Sequence, residues 1–275
     1  MSRVVVTGGS GFIGSHVMRA LSEGGHQAVN VDRADKFRAC EIGGHDLDPL
    51  ESLLPGAEAV IHCAAKADVR HNWDDGEVER LVDENIVSTV YLLEAMRRIS
   101  TIRTLVFVST GAVYSNQTSP YAASKISGES WCKAYAAKCG WRLVIVRPAA
   151  CYGLGYHHGH IADFVRMATA TGRVTSLTKG APRDGLHVED CAGWLAKFAT
   201  DNLSAHFGTF YLRANGRQWG CRDTVRLMGV EADWSDEVLG WAGDTAVSMP
   251  SDAPCGRALE SGVRTSLMSL GWVTK

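Results

Sequence analysis

The stretch Thr7-Gly8-Gly9-Ser10-Gly11-Phe12-Ile13-Gly14 decides the fold of this 275-residue chain. It follows the β-branched run Val4–Val6 and precedes an amphipathic pattern that continues to Glu23, so the glycines fall between a predicted strand and a predicted helix. Glycines in that place let the backbone turn tightly and approach a pyrophosphate, and the helix N-terminus offers free N–H groups to it. The stretch therefore predicts a dinucleotide-binding turn in an α/β fold.

The rest of the chain extends this pattern. Short β-branched runs alternate with longer helical patterns over the first two-thirds, which is typical of a parallel sheet covered by helices on both faces. Predicted strands are Val4–Thr7, Ala28–Asp32, Ala59–Cys63, Leu105–Ser109 and Leu143–Arg147, and predicted helices are Gly11–Glu23, Glu77–Arg98 and Tyr121–Cys139. We therefore predict a Rossmann-type, doubly wound parallel sheet.

The pattern changes at about Cys151. From there it is irregular and richer in Gly, Trp and His, with helical segments near His187–Thr200 and Arg222–Met228. We therefore predict a dinucleotide-binding domain over residues 1–150, to which part of 183–200 returns, and a small C-terminal substrate-binding lobe over 151–275.

Composition and charge indicate which kind of partner this chain binds. The formal net charge is -2, with 45% hydrophobic and 21% charged residues, and the chain has no long basic run. These values are ordinary for a globular protein and predict neither a nucleic-acid surface nor a membrane-binding face, so a small molecule is the expected partner. The apolar run Val4–Val6 is too short for a signal segment, so we expect a cytoplasmic protein. Eight cysteines without a C-x-x-C pair are expected to be free thiols.

Acidic residues after the predicted second strand bear on cofactor choice. Asp32 ends that strand, where a carboxylate can accept hydrogen bonds from an adenosine ribose and repel a 2′-phosphate, which favours NAD over NADP. Arg33 beside it is a cation that tolerates such a phosphate. Asp46-Leu47 is placed to contact the adenine, and Asp46 is also a candidate cap for a helix that starts near Pro49.

A second motif carries acid–base chemistry. Tyr121 and Lys125 are four residues apart and share one face of a predicted helix. A neighbouring ammonium lowers the pKa of a phenol toward working pH, so Tyr121 is the predicted acid/base. Upstream, Ser109-Thr110 ends a predicted strand at the sheet edge where open α/β folds build their sites, and a hydroxyl there can hold a substrate carbonyl or alcohol.

Taken together, these motifs resemble the extended short-chain dehydrogenase/reductase family, and within it the NAD-dependent nucleotide-sugar epimerase/dehydratase branch. The resemblance runs from Arg3 to about Ala192, with a weaker match at 269–272. It rests on TGGSGFIG (7–14), Asp32, Asp46, VIHCAA (60–65), STGAVY (109–114), YAASK (121–125), VRPAACYG (146–153) and RDGLHVEDCA (183–192).

The resemblance implies a role for each matching residue. The implied catalytic set is Thr110, Tyr121 and Lys125, and the implied substrate-binding set is Thr110, Tyr121 and Arg183, the last of which meets a substrate diphosphate. Asn85 matches the family's helix asparagine, which supports the active site. With Arg33 included from the sequence argument above, the predicted NAD-binding residues are Gly8, Gly11, Phe12, Ile13, Gly14, Asp32, Arg33, Asp46, Leu47, Ala64, Ala65, Lys66, Tyr121 and Lys125.

Departures from the family pattern shape the predicted reaction. Family dehydratases carry an Asp-Glu pair where this chain has Gly111 and Ala112, which argues against dehydration. The family's second diphosphate-binding arginine is missing near 241–244, and the segment between Tyr114 and Tyr121 is short. We predict an NAD-dependent nucleotide-sugar 4-epimerase that works by transient oxidation. The alternatives are a net dehydrogenase or reductase of a sugar, uronate or other secondary alcohol, and a non-catalytic NAD-binding protein.

Two further features complete the predictions. His157-His158-Gly159-His160 lacks a carboxylate or Cys to complete a metal shell, so no metal is expected. Apolar residues on the helices 77–98 and 121–139, among them Tyr91, Trp131 and Tyr135, match the four-helix dimer interface of many family members, although they also suit packing against the sheet. We therefore predict a homodimer.

Overall fold

A computed structural model describes residues 1–32, 48–67, 73–115, 119–155, 160–176, 184–201, 208–215, 221–234 and 255–272. The chain divides into two compact units. The first comprises Met1–Arg147 and Ala192–Phe210, and the second comprises Pro148–Cys191 and Tyr211–Lys275. Within the described ranges, no helix is both long and apolar enough to cross a membrane.

The first unit contains five parallel strands. They are β1 (Arg3–Thr7), β2 (Gln27–Val31), β3 (Ala59–His62), β4 (Thr104–Val108) and β5 (Arg142–Pro148), in the spatial order β2-β1-β3-β4-β5. The runs form strands because their β-branched side chains pack on a pleated surface, which is buried along β1, β3 and β4 and half-buried along β2. The predicted fold class is confirmed, and each of the five predicted strands ends within one residue of the observed end.

Helices connect these strands. They are α1 (Phe12–Glu23), α2 (Asp48–Leu53), α3 (Glu77–Leu81), α4 (Ser88–Arg97), α5 (Ala112–Ser115) and α6 (Pro120–Cys139). Between α3 and α4, residues Val82–Val87 form a π-helical segment. The pattern over Glu77–Arg98 predicted one continuous helix, whereas the structure inserts this wider turn, and widened turns of this kind recur at functional sites.

The core of the first unit lies between its sheet and α4. Val5, Val60 and Leu105 lie on the sheet and are fully buried against Leu93 and Met96 of α4. Because the strand order reverses between β1 and β3, a crevice opens at the carboxyl ends of these two strands, where open α/β sheets bind ligands. The glycine-rich turn after β1 and the segment Cys63–Lys66 after β3 meet at this crevice.

The second unit has its own elements and its own core. They are β6 (Ala150–Tyr152), α7 (His160–Thr171), β7 (Arg173–Ser176), β8 (Gly185–His187), α8 (Val188–Thr200), β9 (Gly208–Asn215), α9 (Cys221–Met228), β10 (Glu231–Trp234), β11 (Cys255–Ala258) and α10 (Leu259–Ser269), of which α8 and β9 also run into the first unit. Parallel pairs join β6 to β8, β7 to β10 and β9 to β11. Phe164, Val174 and Val263 lie in its core.

Candidate active site

The glycine-rich turn is packed too tightly for side chains. Gly8 has a left-handed backbone (φ 70°), and a Cβ there would lie 2.7 Å from the Ala64 nitrogen. A Cβ on Gly14 would lie 2.0 Å from the Gly8 carbonyl oxygen. The Gly11 amide donates to the same oxygen at 3.0 Å, which closes the turn directly before α1. Phe12 and Ile13 therefore occupy the first turn of α1, where backbone N–H groups have no intrahelical acceptor.

Asp32 lies beside this turn. The Ser10 amide donates to the Asp32 carboxylate at 3.0 Å, and the Asn30 side-chain amide donates to the Ser10 hydroxyl at 2.9 Å. The carboxylate that is predicted to select NAD is thus fixed against the glycine-rich turn. Three other predicted cofactor residues, Arg33, Asp46 and Leu47, lie outside the described residues.

The segment after β3 forms the opposite wall. Ala64 and Ala65 are half-buried, and the Ala64 amide donates to the Thr7 hydroxyl at 3.3 Å. The Lys66 ammonium lies 2.6 Å from the Glu77 carboxylate at the start of α3, and this hydrogen bond lowers the pKa of Glu77. Lys66 is one of the predicted NAD-binding residues. In the structure its charge is paired with Glu77, and the cofactor role stays a prediction.

A buried hydrogen-bond chain links these walls. His62 Nδ1 lies 2.6 Å from the Thr7 hydroxyl, and its Nε2 lies 2.9 Å from the Thr89 hydroxyl. Thr89 donates to the carbonyl oxygen of Asn85 at 2.7 Å, so its oxygen accepts from His62 and the proton of the ring is on Nε2. Burial, with the nearby Lys125 charge, lowers the pKa of His62 to about 3. His62 is therefore a neutral connector.

Asn85 uses the π-helical segment to reach two parts of the site. Its side chain accepts from the Lys66 amide at 2.7 Å and donates to the Lys66 carbonyl at 3.1 Å. It also donates to the Ser124 hydroxyl at 2.9 Å, and Ser124 donates to the Tyr121 carbonyl at 2.8 Å. Asn85 therefore ties the segment after β3 to α6, and its support of the active site stays a prediction.

Helix α6 carries the predicted acid/base pair. Its start is fixed by Ser119, whose hydroxyl accepts from the Ala122 amide at 3.0 Å, and by Pro120 in the first turn. Tyr121 and Lys125 are 8% and 3% exposed and share one face of the helix. The Lys125 ammonium lies 4.6 Å from the centre of the Phe107 ring. Burial lowers the pKa of Lys125 to about 8, so Lys125 is mostly protonated at neutral pH but titrates just above it.

Thr110 follows β4 at the same sheet edge. Its hydroxyl accepts from the Ala112 amide at 3.2 Å and so caps the four-residue helix α5. Thr110, Tyr121, Lys125 and the glycine-rich turn all belong to the first unit. A hydroxyl, a phenol and a buried ammonium beside a dinucleotide-type turn can hold an alcohol, remove its proton and stabilise the resulting charge.

The sequence predicts no individual role for several residues at this site. They are Thr7, His62, Thr89 and Ser124, which form the hydrogen bonds described above, together with Glu129 and Arg147. A histidine inside an apolar strand and a carboxylate one turn beyond Lys125 were the available signals, because a buried polar group must find partners.

Arg183, the predicted diphosphate contact, lies outside the described residues. Its neighbour Asp184 accepts a hydrogen bond from the Tyr211 hydroxyl at 3.4 Å and lies 3.7 Å from the Arg213 guanidinium. Both partners are on β9, in the second unit.

Comparison with known proteins identifies relatives of this chain. A family model described as "NAD dependent epimerase/dehydratase family" matches residues 4–209. A putative UDP-glucose 4-epimerase of Methanocaldococcus jannaschii is 32% identical over 54% of this chain, and the match spans 56% of that protein. A UDP-glucose 4-epimerase of Mycolicibacterium smegmatis is also 32% identical, over 68% of this chain and 70% of that protein.

A solved structure shows the same fold. The UDP-glucuronic acid 4-epimerase of Bacillus cereus, in complex with UDP-glucuronic acid and NAD, aligns with a TM-score of 0.82 and 21% identity over 98% of this chain and 99% of that one. The resemblance that the motifs predicted is confirmed by the family match, which covers well over half of the sequence. The chain belongs to the NAD dependent epimerase/dehydratase family.

Proposed function

We propose that this chain is an NAD-dependent nucleotide-sugar 4-epimerase. The observation that carries the proposal is the pairing of Tyr121 with the buried Lys125 on α6, in the same unit as the glycine-rich turn and Thr110. A surface Tyr/Lys pair would leave the ammonium in water. Here the ammonium is almost fully buried. Among the described residues, the centre of the Phe107 ring lies 4.6 Å from it, and no carboxylate lies at contact distance.

The residues present fit a bound dinucleotide. Neither Gly8 nor Gly14 has room for a Cβ, and this crowding keeps the backbone close enough to line a pyrophosphate. Phe12 and Ile13 would give it their N–H groups, and Asp32 would accept hydrogen bonds from the adenosine ribose. Lys125 would donate to the nicotinamide ribose, a role suited to a buried ammonium. When bound, NAD supplies the acceptor that takes a hydride from the sugar and later gives it back.

The chain's own residues move the proton. Thr110 holds the reacting hydroxyl, and Tyr121 removes its proton as the carbon is oxidised to a ketone. Lys125, whose pKa is about 8, is largely protonated at neutral pH and stabilises the phenolate form of Tyr121. The keto sugar then rotates in the site so that its opposite face is reduced. Tyr121 returns the proton to the oxygen of the reacting carbon. Oxidation and reduction therefore cancel over one cycle.

Support for a nucleotide-sugar substrate comes from relatives. The M. smegmatis protein is named for UDP-glucose, and the B. cereus structure holds UDP-glucuronic acid. We propose that Arg183 grips the diphosphate of such a substrate, because a guanidinium makes two parallel hydrogen bonds to a phosphate. Gly111 and Ala112 stand where family dehydratases carry Asp-Glu, which supports epimerisation over loss of water.

A net reductase is the second candidate. A GDP-6-deoxy-D-mannose reductase of Pseudomonas aeruginosa is 26% identical over 68% of this chain, and the same Thr, Tyr and Lys types would serve a one-way reduction. The two activities differ in how they treat the cofactor, because an epimerase must retain it through the cycle.

The nucleotide that accompanies the purified protein tests the proposal. Denaturing the protein and identifying the released nucleotide should give NAD near one equivalent per chain. Calorimetric titration of UDP, GDP and dTDP into the NAD-loaded protein should show one of them binding well below millimolar Kd, and Arg183→Ala should weaken that binding at least tenfold. Protein that carries no nucleotide and exchanges NAD freely would favour the reductase, and failure of all three nucleotides to bind would reject a nucleotide-sugar substrate.

We also propose a homodimer through α4 and α6. Ile126 and Trp131 of α6 are 37% and 43% exposed, and Tyr135 of α6 donates to Glu94 of α4, which joins the two helices into one surface. Light scattering of the wild type and of Trp131→Glu tests this: the wild type should have twice the chain mass, and the variant should be smaller. A monomeric wild type would reject the homodimer.

A further inference from the structure

A buried ion pair between Glu129 and Arg147 joins α6, the helix of Tyr121 and Lys125, to β5. Glu129, one turn beyond Lys125 in α6, is 2% exposed. Arg147, at the end of β5, binds it through two nitrogens: Nε lies 2.8 Å from Oε1 and Nη2 lies 2.5 Å from Oε2. Burial raises the pKa of the Glu129 carboxyl, but hydrogen bonds from Arg147 and Ser109 outweigh it, so the net pKa is lowered. The pair is therefore charged at neutral pH.

This pair contacts the chain on both sides of Thr110. The Ser109 hydroxyl donates to Glu129 Oε1 at 2.6 Å, directly before Thr110. The Arg147 guanidinium lies 4.8 Å from the centre of the Tyr114 ring in α5, directly after it. Helix α5 has only four residues, and such a short helix is not stable by itself. The position of Thr110 thus depends on what holds Ser109 and Tyr114.

We propose that Glu129 and Arg147 are positioning residues, whose ion pair fixes the distance between the Thr110 segment and the helix that carries Tyr121 and Lys125. The catalytic meaning of that distance rests on the proposed function. The geometric claim rests only on contacts within the first unit: Glu129 belongs to the helix, Arg147 belongs to β5, and Ser109 and Tyr114 flank Thr110.

Glu129 also acts on the charge of Lys125. The titratable groups that interact with the Lys125 ammonium are His62 at the end of β3, Cys63 directly after it, and Glu129 and Cys132 on α6. His62 is neutral, and burial raises the pKa of both Cys63 and Cys132 to about 12, so these thiols are also neutral at pH 7. Among the described groups that act on Lys125, Glu129 is then the anion, and it raises the pKa that burial lowers.

Hydrogen exchange of the unliganded protein tests the geometric claim. Glu129→Gln keeps an acceptor for Ser109 but breaks the ion pair, so amides of residues 109–115 should exchange about tenfold faster or more, while those of β1 stay unchanged. The matched control is Glu23→Gln, which removes an exposed carboxylate 3.7 Å from Arg19 and should leave residues 109–115 unaffected. Unchanged exchange at 109–115 in folded Glu129→Gln would overturn the proposal. If that variant does not fold, Ser109→Ala takes its place with the same two outcomes.

Kinetics separate positioning from simple support of the fold. In Glu129→Gln, kcat should fall at least tenfold with less than a twofold change in Kd for NAD. Loss of the Glu129 charge should also lower the pKa of Lys125, so the alkaline limb of the kcat profile should move to lower pH. The double variant E129Q/R147Q also lacks the ion pair, so its kcat should stay low. A pH profile that is unchanged in Glu129→Gln would overturn the role in the active site.

The two proposals fail separately. Faster exchange at 109–115 in Glu129→Gln, with a wild type that has no epimerase activity, would keep the positioning claim and reject the proposed function. Normal exchange in a Glu129→Gln protein that still epimerises at the wild-type rate would do the reverse.

Discussion

Gly14→Ala is the sharpest structural perturbation of the glycine-rich turn. A Cβ on Gly14 would lie 2.0 Å from the Gly8 carbonyl oxygen, 2.7 Å from the Gly8 carbonyl carbon and 2.8 Å from the Gly9 Cα. All three are backbone atoms of a tight turn, so the turn itself must move by roughly 1 Å or more to reach van der Waals separation. Such crowding typically costs about 1–3 kcal/mol.

A glycine-to-alanine substitution at Gly193 should instead stabilise the folded protein. Gly193 lies in α8, is exposed, and has no atom within 4 Å of its would-be Cβ. Alanine there gains about 0.5–1 kcal/mol because glycine is the weaker helix former. Gly193→Ala is therefore a matched control that changes one helical glycine without crowding.

Thermal unfolding of the two variants without ligand measures this difference. At about 2–4 °C per kcal/mol for a chain of this size, Gly14→Ala should lower Tm by about 2–12 °C and Gly193→Ala should raise it by about 1–4 °C. Calorimetry should also show at least tenfold weaker NAD binding for Gly14→Ala, because the displaced turn no longer approaches the pyrophosphate. A Gly14→Ala protein with unchanged Tm and unchanged NAD affinity would refute the reasoning about this turn.

Three further substitutions test the chemistry. Tyr121→Phe removes one hydroxyl and little packing, so turnover should be lost with Tm and NAD affinity nearly unchanged; an active variant would remove Tyr121 from the mechanism. Lys125→Met should lose turnover and weaken NAD binding, yet raise Tm at pH 7, since a buried ammonium with a pKa of about 8 against 10.5 unfolded destabilises the folded state below pH 8. That gain should shrink as the pH rises from 8 to 10.5, and a lower Tm at pH 7 would contradict it. Asp32→Ser should weaken NAD by about 1–3 kcal/mol in calorimetry and improve the relative binding of NADP, and a wild type that prefers NADP would reject the role of Asp32.

The sequence allowed the sheet to be predicted because the signals that form it are local. The runs before Gly8 and after Leu105 are β-branched and apolar, and the spacing of the glycines reports a turn whose crowding the structure then displays. The face shared by Tyr121 and Lys125 follows from helical spacing alone.

Other features depend on contacts between distant segments and could not be predicted in this way. The π-helical segment places Asn85 where its amide meets Lys66, nineteen residues earlier in the chain, and nothing in VDENIV itself specifies a wider turn. The Lys66–Glu77 pair and the Glu129–Arg147 pair likewise arise only when the strands are assembled. Propensity and spacing do not report such partners.

The fate of the hydride distinguishes an epimerase from a net dehydrogenase or reductase. The NAD-loaded protein should be mixed with the nucleotide sugar whose nucleotide binds in calorimetry, while reduced nicotinamide is followed by absorbance and the sugar by NMR. We predict a small, transient signal of reduced nicotinamide, no net reduction, and conversion of the sugar to its C4 epimer. Steady accumulation of reduced cofactor that consumes added NAD, with a ketone and no epimer as product, would contradict it.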